Sequence, residues 1–191
     1  MWRELVIDSL RRPRLAARRV LDAGLPSATV IEAALLVTCA GIVLGYLALR
    51  ASPDGVDIVS AAILANPLLG AAAQLGAMTA VIFLTVQIGR LFGGHGGLWG
   101  AAALVVWLNA MLVLVQAGQL VALALLPPLA ALLAIAATVW ALWAYANFIA
   151  ELHGFRSPVI VLGATVLTGI MLFFATAMLL AILGLTPREA G

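Results

Sequence analysis

The chain has 191 residues, of which 65% are hydrophobic and 9% charged, and its mean hydropathy is +1.18. A soluble domain of this length needs far more charge to keep its surface in water. No Asp, Glu, Lys or Arg occurs between residues 91 and 150, whereas about 20 apolar residues suffice to cross a bilayer as a helix. Because the long Leu, Ala and Val runs lack the alternation of barrel strands, we predict an all-α integral membrane protein.

Residues 1–27 are predicted to form a basic amphipathic segment on the cytoplasmic side. Apolar residues recur there at helical spacing, and Pro13 opens a second helical stretch that stops at Gly24 and Pro26. Arginines in such a helix bind anionic lipid at the membrane surface; alternatively, they act only as a topology signal. The candidate membrane-surface residues are Arg11, Arg12, Arg14, Arg18 and Arg19.

Residues 28–187 are predicted to form a bundle of five transmembrane helices. At the start of the first span, Thr29 and Glu32 match a capping box. Residues 56–65 are apolar but short, which places them at the membrane interface. A Ser-Pro pair at 157–158 is typical of a helix start. The five spans cover about residues 30–49, 68–89, 98–126, 129–150 and 159–185.

The orientation follows from the positions of the arginines, because short cytoplasmic loops carry an excess of basic residues. With the N-terminus inside, only Arg50 and Arg188 fall on the outer side, and all other arginines fall on the inner side. This asymmetry predicts a cytoplasmic N-terminus and a periplasmic C-terminus. All ten basic residues are arginine, a bias that indicates a GC-rich bacterial genome and hence the bacterial inner membrane.

Polar groups within the spans are candidates for function, and here they are mostly amides. Asn109 and Gln116 are seven residues apart on one face of the third span, and Gln119 lies close to Gln116. Such amides commonly bond neighbouring helices. This structural role is the favoured interpretation; the alternative is that they line a path for a substrate. Glu32, at the end of the first span, is explained as a helix cap.

A second candidate group is expected in the loops on the inner side. His95, Glu151 and His153 all fall there, and Asn147 precedes Glu151 by one helical turn. Two histidines and a carboxylate are suitable zinc ligands, but an interfacial turn explains the same residues and is favoured. No known catalytic motif is present, so we predict a protein that is not an enzyme and that has no cofactor or metal.

With five predicted spans, a glycine-rich segment from Leu91 to Gly97 and a His-Gly-Phe turn at residues 153–155, the chain resembles the Yip1 family of small membrane proteins. The segment from Leu91 to Gly97, Leu-Phe-Gly-Gly-His-Gly-Gly, is similar to the glycine-rich loop of the family. The segment from Asn147 to Ser157 contains the His-Gly-Phe turn that precedes its last span, and the stretch from Arg12 to Pro26 resembles the pre-membrane helix of bacterial members. Leu98 stands where the family has a serine, and the eukaryotic motif Asp-Leu-Tyr-Gly-Pro is absent, so a link to Rab GTPases is not carried over.

The resemblance implies a non-enzymatic membrane protein that engages other membrane proteins or lipids. Gly41 and Gly45 form a GxxxG pair, which lets helices approach closely within the bundle or against a partner. The leading hypothesis is therefore a scaffold in contact with the lipid bilayer and with another membrane protein or a second copy of itself, without a nucleic-acid partner. The alternative is a small transporter, channel or lipid-moving protein that uses the amides of the third span.

Overall fold

A computed structural model describes residues 2–51 and 66–182 of the chain. Every regular element in these ranges is an α-helix. Two short helices, α1 and α2, form an N-terminal segment that we call the arm, and the long helices α3 to α7 follow. Their bounds are Trp2–Arg11 for α1, Pro13–Asp22 for α2, Ser27–Ala51 for α3, Pro67–Leu91 for α4, Leu98–Leu125 for α5, Pro127–His153 for α6 and Pro158–Ile182 for α7.

The long helices have the length and composition of membrane spans. Each contains 25 to 28 residues and is therefore about 37 Å long or more, against about 30 Å for the hydrocarbon core of a bilayer. In the described part of the chain, five helices qualify as spans, which confirms an all-α membrane protein with five spans. Leu36, Leu68 and Phe173 are among the large apolar side chains exposed on these helices, whose outer faces contact lipid.

Prolines and polar caps determine where several helices begin. The side chain of Asn66 accepts hydrogen bonds of 3.2 Å from two backbone N–H groups in the first turn of α4, which satisfies donors that have no partner within the helix. Before α7, the Ser157 hydroxyl oxygen accepts a long hydrogen bond of 3.5 Å from the N–H of Ile160. Ser157 thus caps α7 and Pro158 is its first residue, as the sequence predicts.

The predicted capping box at Thr29 and Glu32 is wrong. α3 begins two residues earlier, at Ser27, and the carbonyl of Pro26 accepts a hydrogen bond of 3.1 Å from the N–H of Val30. Because the first helical turn closes ahead of it, Thr29 lies inside the helix, and Glu32 is exposed on α3. The predicted interfacial stretch 56–65 and the end of the fifth span beyond residue 182 lie outside the described residues.

α5 is the central helix of the bundle, and it packs against α3, α4 and α6. One apolar cluster joins α3, α4 and α5 through Val30, Met78 and Val105. A smaller cluster joins α6 to α7 through Ala150 and Val161. Because α4 packs chiefly on α5 and α3, whereas α7 packs chiefly on α6, a space remains between α4 and α7.

The arm packs against α5 and α6 at one end of the bundle, which we call the arm end. Ala16 and Ala17 of α2 are completely buried, since their small side chains allow the helices to approach closely. α1 lies beside α5, where the rings of Trp2 and Trp107 stack with their centroids 6.3 Å apart. The indole N–H of Trp107 also donates a hydrogen bond of 2.9 Å to the hydroxyl of Ser9. The arm is thus part of the packed structure.

Candidate functional site

Glu151 lies near the last turn of α6 and binds two arginines of the arm. Its Oε2 atom accepts a hydrogen bond of 2.8 Å from Nε of Arg14, and its Oε1 atom accepts one of the same length from Nε of Arg18. The hydrogen bond to this carboxylate raises the pKa of Arg18 above its ordinary value. Both oxygens of Glu151 are therefore occupied by the arm.

Arg14 also connects the arm to the turn between α6 and α7. Its terminal nitrogens donate hydrogen bonds to the carbonyl oxygens of Phe155 at 2.7 Å and Arg156 at 3.1 Å. One guanidinium thus holds a carboxylate at the end of α6 and two backbone carbonyls before α7. Such charge-assisted hydrogen bonds are stronger than neutral ones. The arm is therefore attached to α6 and to the start of α7 through the same side chain.

The remaining candidate arginines of the arm divide into two groups. Arg19 forms an ion pair with Asp8 of α1 at 2.6 Å, which joins the two helices of the arm to each other. Arg11 and Arg12 are exposed. Lipid binding by the five arginines therefore stays a prediction, and the structure adds that three of them also bind carboxylates of the chain.

His153, the last residue of α6, is buried and hydrogen-bonded at both ring nitrogens. Its Nδ1 atom accepts a hydrogen bond of 3.1 Å from the backbone N–H of Gly96, and its Nε2 atom lies 3.1 Å from the carbonyl oxygen of Thr85. Because a carbonyl can only accept, Nε2 carries the proton and the ring is neutral. Its ring stacks on Phe155 at 5.5 Å between centroids.

Three glycines surround the His153 ring so closely that no larger residue fits in their place. A Cβ atom on Gly89 would overlap Cε1 and Nε2 of the ring, one on Gly94 would lie 2.5 Å from Nδ1, and one on Gly96 would lie 2.6 Å from Cε1. Gly93 makes the turn itself, with φ at +80°. The glycine-rich loop and the His-Gly-Phe turn, which are distant in sequence, are thus parts of one packing unit.

The structure does not assemble His95, Glu151 and His153 into a metal centre. His95 is exposed, and within the described ranges no group of three metal-ligating side chains comes together. The ring nitrogens of His153 and the oxygens of Glu151 bind the chain itself, so they are not directed at a common ion. Asn147 is buried and donates to the carbonyl of Trp143 in its own helix at 2.8 Å, and it makes no hydrogen bond to Glu151. Glu151 therefore holds the arm, and His153 holds the glycine-rich loop.

Two of the three candidate amides of the third span border a cavity of about 440 Å³ between α3, α4 and α5. Asn109 and Gln116 line it as their spacing on one helix face predicts, whereas Gln119 does not. Gln74 of α4 also lines it, close to Gly41 of α3: a Cβ atom on that glycine would lie 3.2 Å from Nε2 of Gln74. The first glycine of the GxxxG pair therefore serves contacts within the bundle.

A second cavity, of about 500 Å³, lies between α4, α6 and α7 and was not predicted from the sequence. Two of the hydroxyls in its lining bond each other: Oγ1 of Thr85 donates to the carbonyl of Val81 at 2.7 Å and accepts from Tyr145 at 2.5 Å. Arg156 and Ser157 line it at the arm end. The signal in the sequence is weak, because its walls are ordinary apolar residues and a few threonines.

Comparison with known proteins identifies one family whose model covers both the arm and the spans. The family model of the Yip1 domain matches residues 7–179, a range that begins within α1 and therefore includes most of the arm as well as the five spans. No curated protein and no solved structure matches the chain. The matched range covers most of the sequence, including the glycine-rich loop and the turn that contains His153. The chain therefore belongs to the Yip1 family.

Proposed function

We propose that the protein is a non-enzymatic scaffold of the bacterial inner membrane that presents its docked arm to another membrane protein. The distribution of arginines supports a cytoplasmic arm end and a periplasmic C-terminus, because basic residues are retained on the cytoplasmic side. In this orientation the arm lies in the inner interface of the bilayer. There it contacts both lipid and the cytoplasmic portions of neighbouring proteins.

The observation that carries the proposal is the attachment of the arm to the bundle through Glu151. Arg14 and Arg18 bind this carboxylate, so these three charged groups hold the arm in one position. The outward side of α1 then carries the exposed apolar residues Ile7 and Leu10. A fixed surface of apolar and basic residues is suited to binding a partner and does not require catalytic groups.

Site-specific photo-crosslinking in cells tests this function. A photoreactive amino acid replaces Leu10 of the arm or, as a control, Leu132 of α6, which is also exposed but lies outside the arm. We expect one discrete protein adduct from position 10 and none of the same mass from position 132. An adduct of twice the mass of the chain would identify the partner as a second copy.

The variant Glu151→Gln tests whether crosslinking to the partner requires the attachment of the arm to α6. Because it removes the charge that binds Arg14 and Arg18, the adduct from position 10 should decrease. The matched control Glu32→Gln changes an exposed glutamate on α3 and should leave the adduct intact. A failure to form any protein adduct at position 10, or the same yield in both glutamine variants, would contradict the scaffold function.

A further inference from the structure

We propose that the cavity between α4 and α7 binds one anionic phospholipid of the leaflet at the arm end, with an acyl chain in the cavity and the phosphate on Arg156. This goes beyond the scaffold function, since the cavity is lined by residues of α4, α6, α7 and the loops that flank them, and by none of the arm. The proposal depends on the shape of the cavity, its opening and the charge at its mouth.

The cavity has the form of a groove with α6 as its floor. Leu84 and Ile88 of α4 form one wall, Ala164 of α7 belongs to the other, and Ile149 of α6 lies between them. Its volume of about 500 Å³ is within the range of about 300–1,000 Å³ typical of ligand-binding pockets. Its lining is almost entirely apolar, so the groove fits a hydrocarbon chain.

The groove is open to the surrounding bilayer. Ile160, which belongs to the lining, is 74% exposed, and α4 and α7 do not pack closely enough to close the gap between them. Because both helices are membrane spans, the molecules outside this gap are lipids. Water is a poor occupant, since buried water needs several polar partners and the hydroxyls of Thr85 and Tyr145 already bond each other.

The charge at the mouth of the groove selects the type of lipid. Arg156 lines the arm end of the groove, its side chain is exposed, and in the described part of the chain that guanidinium has no ion pair. Arg14, Arg18 and Arg19 differ in this respect, because each of them binds a carboxylate. A free guanidinium binds a phosphate through two parallel hydrogen bonds.

These features match the two ends of a phospholipid. The phosphate would lie at Arg156, at the level where α7 begins, and the acyl chain would extend along the groove towards Gly169, the most distant lining residue along α7. An anionic headgroup gains additional attraction from Arg90, which is exposed in the last turn of α4 at the same end. The geometry therefore favours anionic over zwitterionic lipids in this site.

Native mass spectrometry of the full-length protein, released from mild detergent with added lipid, tests the site. The probes are phosphatidylglycerol, which is anionic, and phosphatidylcholine, which is zwitterionic. We expect one phosphatidylglycerol per chain, bound more tightly than phosphatidylcholine. The variant Arg156→Gln should weaken phosphatidylglycerol binding about fivefold, the factor expected for one arginine near an anionic headgroup. The control Arg50→Gln, at an exposed arginine in the last turn of α3, should bind as the unmodified protein does.

A second pair of variants tests the groove without removing a charge. Gly169 and Gly163 both belong to α7, but only Gly169 lines the groove. A Cβ atom added to either glycine would meet only open space. Gly169→Leu should lower the binding of both lipids, because the leucine fills the groove, whereas Gly163→Leu should not. Since neither glycine is close to other atoms, both variants are expected to fold.

Three results would overturn the proposal. The first is unchanged phosphatidylglycerol binding in both Arg156→Gln and Gly169→Leu. The second is a loss of phosphatidylglycerol binding that is as large in a control variant as in the variant it is matched with. The third is a second copy of the chain seated in the groove, seen as a dimer without bound lipid that Gly169→Leu dissociates. None of these outcomes affects the crosslinks of the arm, so failure of the lipid site can be distinguished from failure of the scaffold function.

Discussion

Replacing Gly89 by alanine should destabilise the protein through its effect on His153. The added Cβ atom would overlap the buried imidazole ring, so the ring has to leave its position between Gly96 and Thr85. Overpacking of a well-packed site costs about 1–3 kcal/mol, and each hydrogen bond lost with the ring costs about 1 kcal/mol. Since the ring makes two hydrogen bonds, we expect the free energy of unfolding to fall by about 3–5 kcal/mol relative to the unmodified protein.

The matched control is Gly76→Ala in the same helix, where no atom lies within 4 Å of the added Cβ. This change should be neutral or stabilise the helix by up to about 1 kcal/mol, because alanine has the higher helix propensity. Unfolding is measured in mixed micelles of mild detergent and SDS by tryptophan fluorescence. The double variant Gly89→Ala with His153→Ala separates the contact from other effects of the alanine.

In the His153→Ala background the ring is absent, so Gly89→Ala should cost less than about 1 kcal/mol, as for an unhindered position. The reasoning fails if Gly89→Ala and Gly76→Ala have the same effect on unfolding. It also fails if Gly89→Ala is as costly without the imidazole as with it, since the cost would then not come from the packing of His153.

Two further predictions concern the amides and the topology. Gln116→Leu should lower the free energy of unfolding by less than about 1 kcal/mol, the usual contribution of an interhelical amide. Gln119→Leu, outside the cavity, should leave the free energy of unfolding unchanged. If Gln116→Leu leaves stability unchanged but alters solute passage in liposomes, the amides line a pathway instead. In a Cys39→Ser background, a cysteine in place of His95 should react with a membrane-impermeant reagent only from the cytoplasmic side, and one in place of Leu126 only from the periplasmic side. The reverse pattern would exclude a cytoplasmic N-terminus.

The membrane spans could be predicted from the sequence because lipid imposes a simple requirement. A helix of about 20 apolar residues satisfies every backbone group without water, and no knowledge of its neighbours is needed. The start of α7 was predictable for a similar reason, since Ser157 and Pro158 act locally. At Thr29 the local pattern was misleading, because Ser27 and Pro26 begin the helix one half-turn earlier.

The contacts of the candidate site could not be predicted, because they join residues far apart in the chain. Arg14 and Glu151 are separated by 137 positions, and an arginine looks the same in sequence whether it binds lipid, sets topology or pairs with a carboxylate. The glycine-rich loop was recognised as a family feature, but its packing against His153 depends on two loops meeting at the arm end. The groove beside α7 could not be predicted either, because most of its walls are ordinary apolar residues and threonines contributed by three separate helices.

Because the contacting residues are far apart in the chain, their contacts form in a fixed order during synthesis of the protein. A ribosome makes Arg14 long before Glu151, and Gly96 is made 57 residues before His153. While the first spans enter the membrane, the arm therefore has no carboxylate on α6 to bind, and its arginines are free of that contact. In the proposed orientation, they would retain the N-terminus in the cytoplasm at this stage. Once α6 is inserted, Arg14 and Arg18 can pair with Glu151, and the glycine-rich loop can close on its histidine. In the proposed orientation, the same arginines would thus set the topology of the nascent chain first and attach the arm to α6 in the folded protein afterwards.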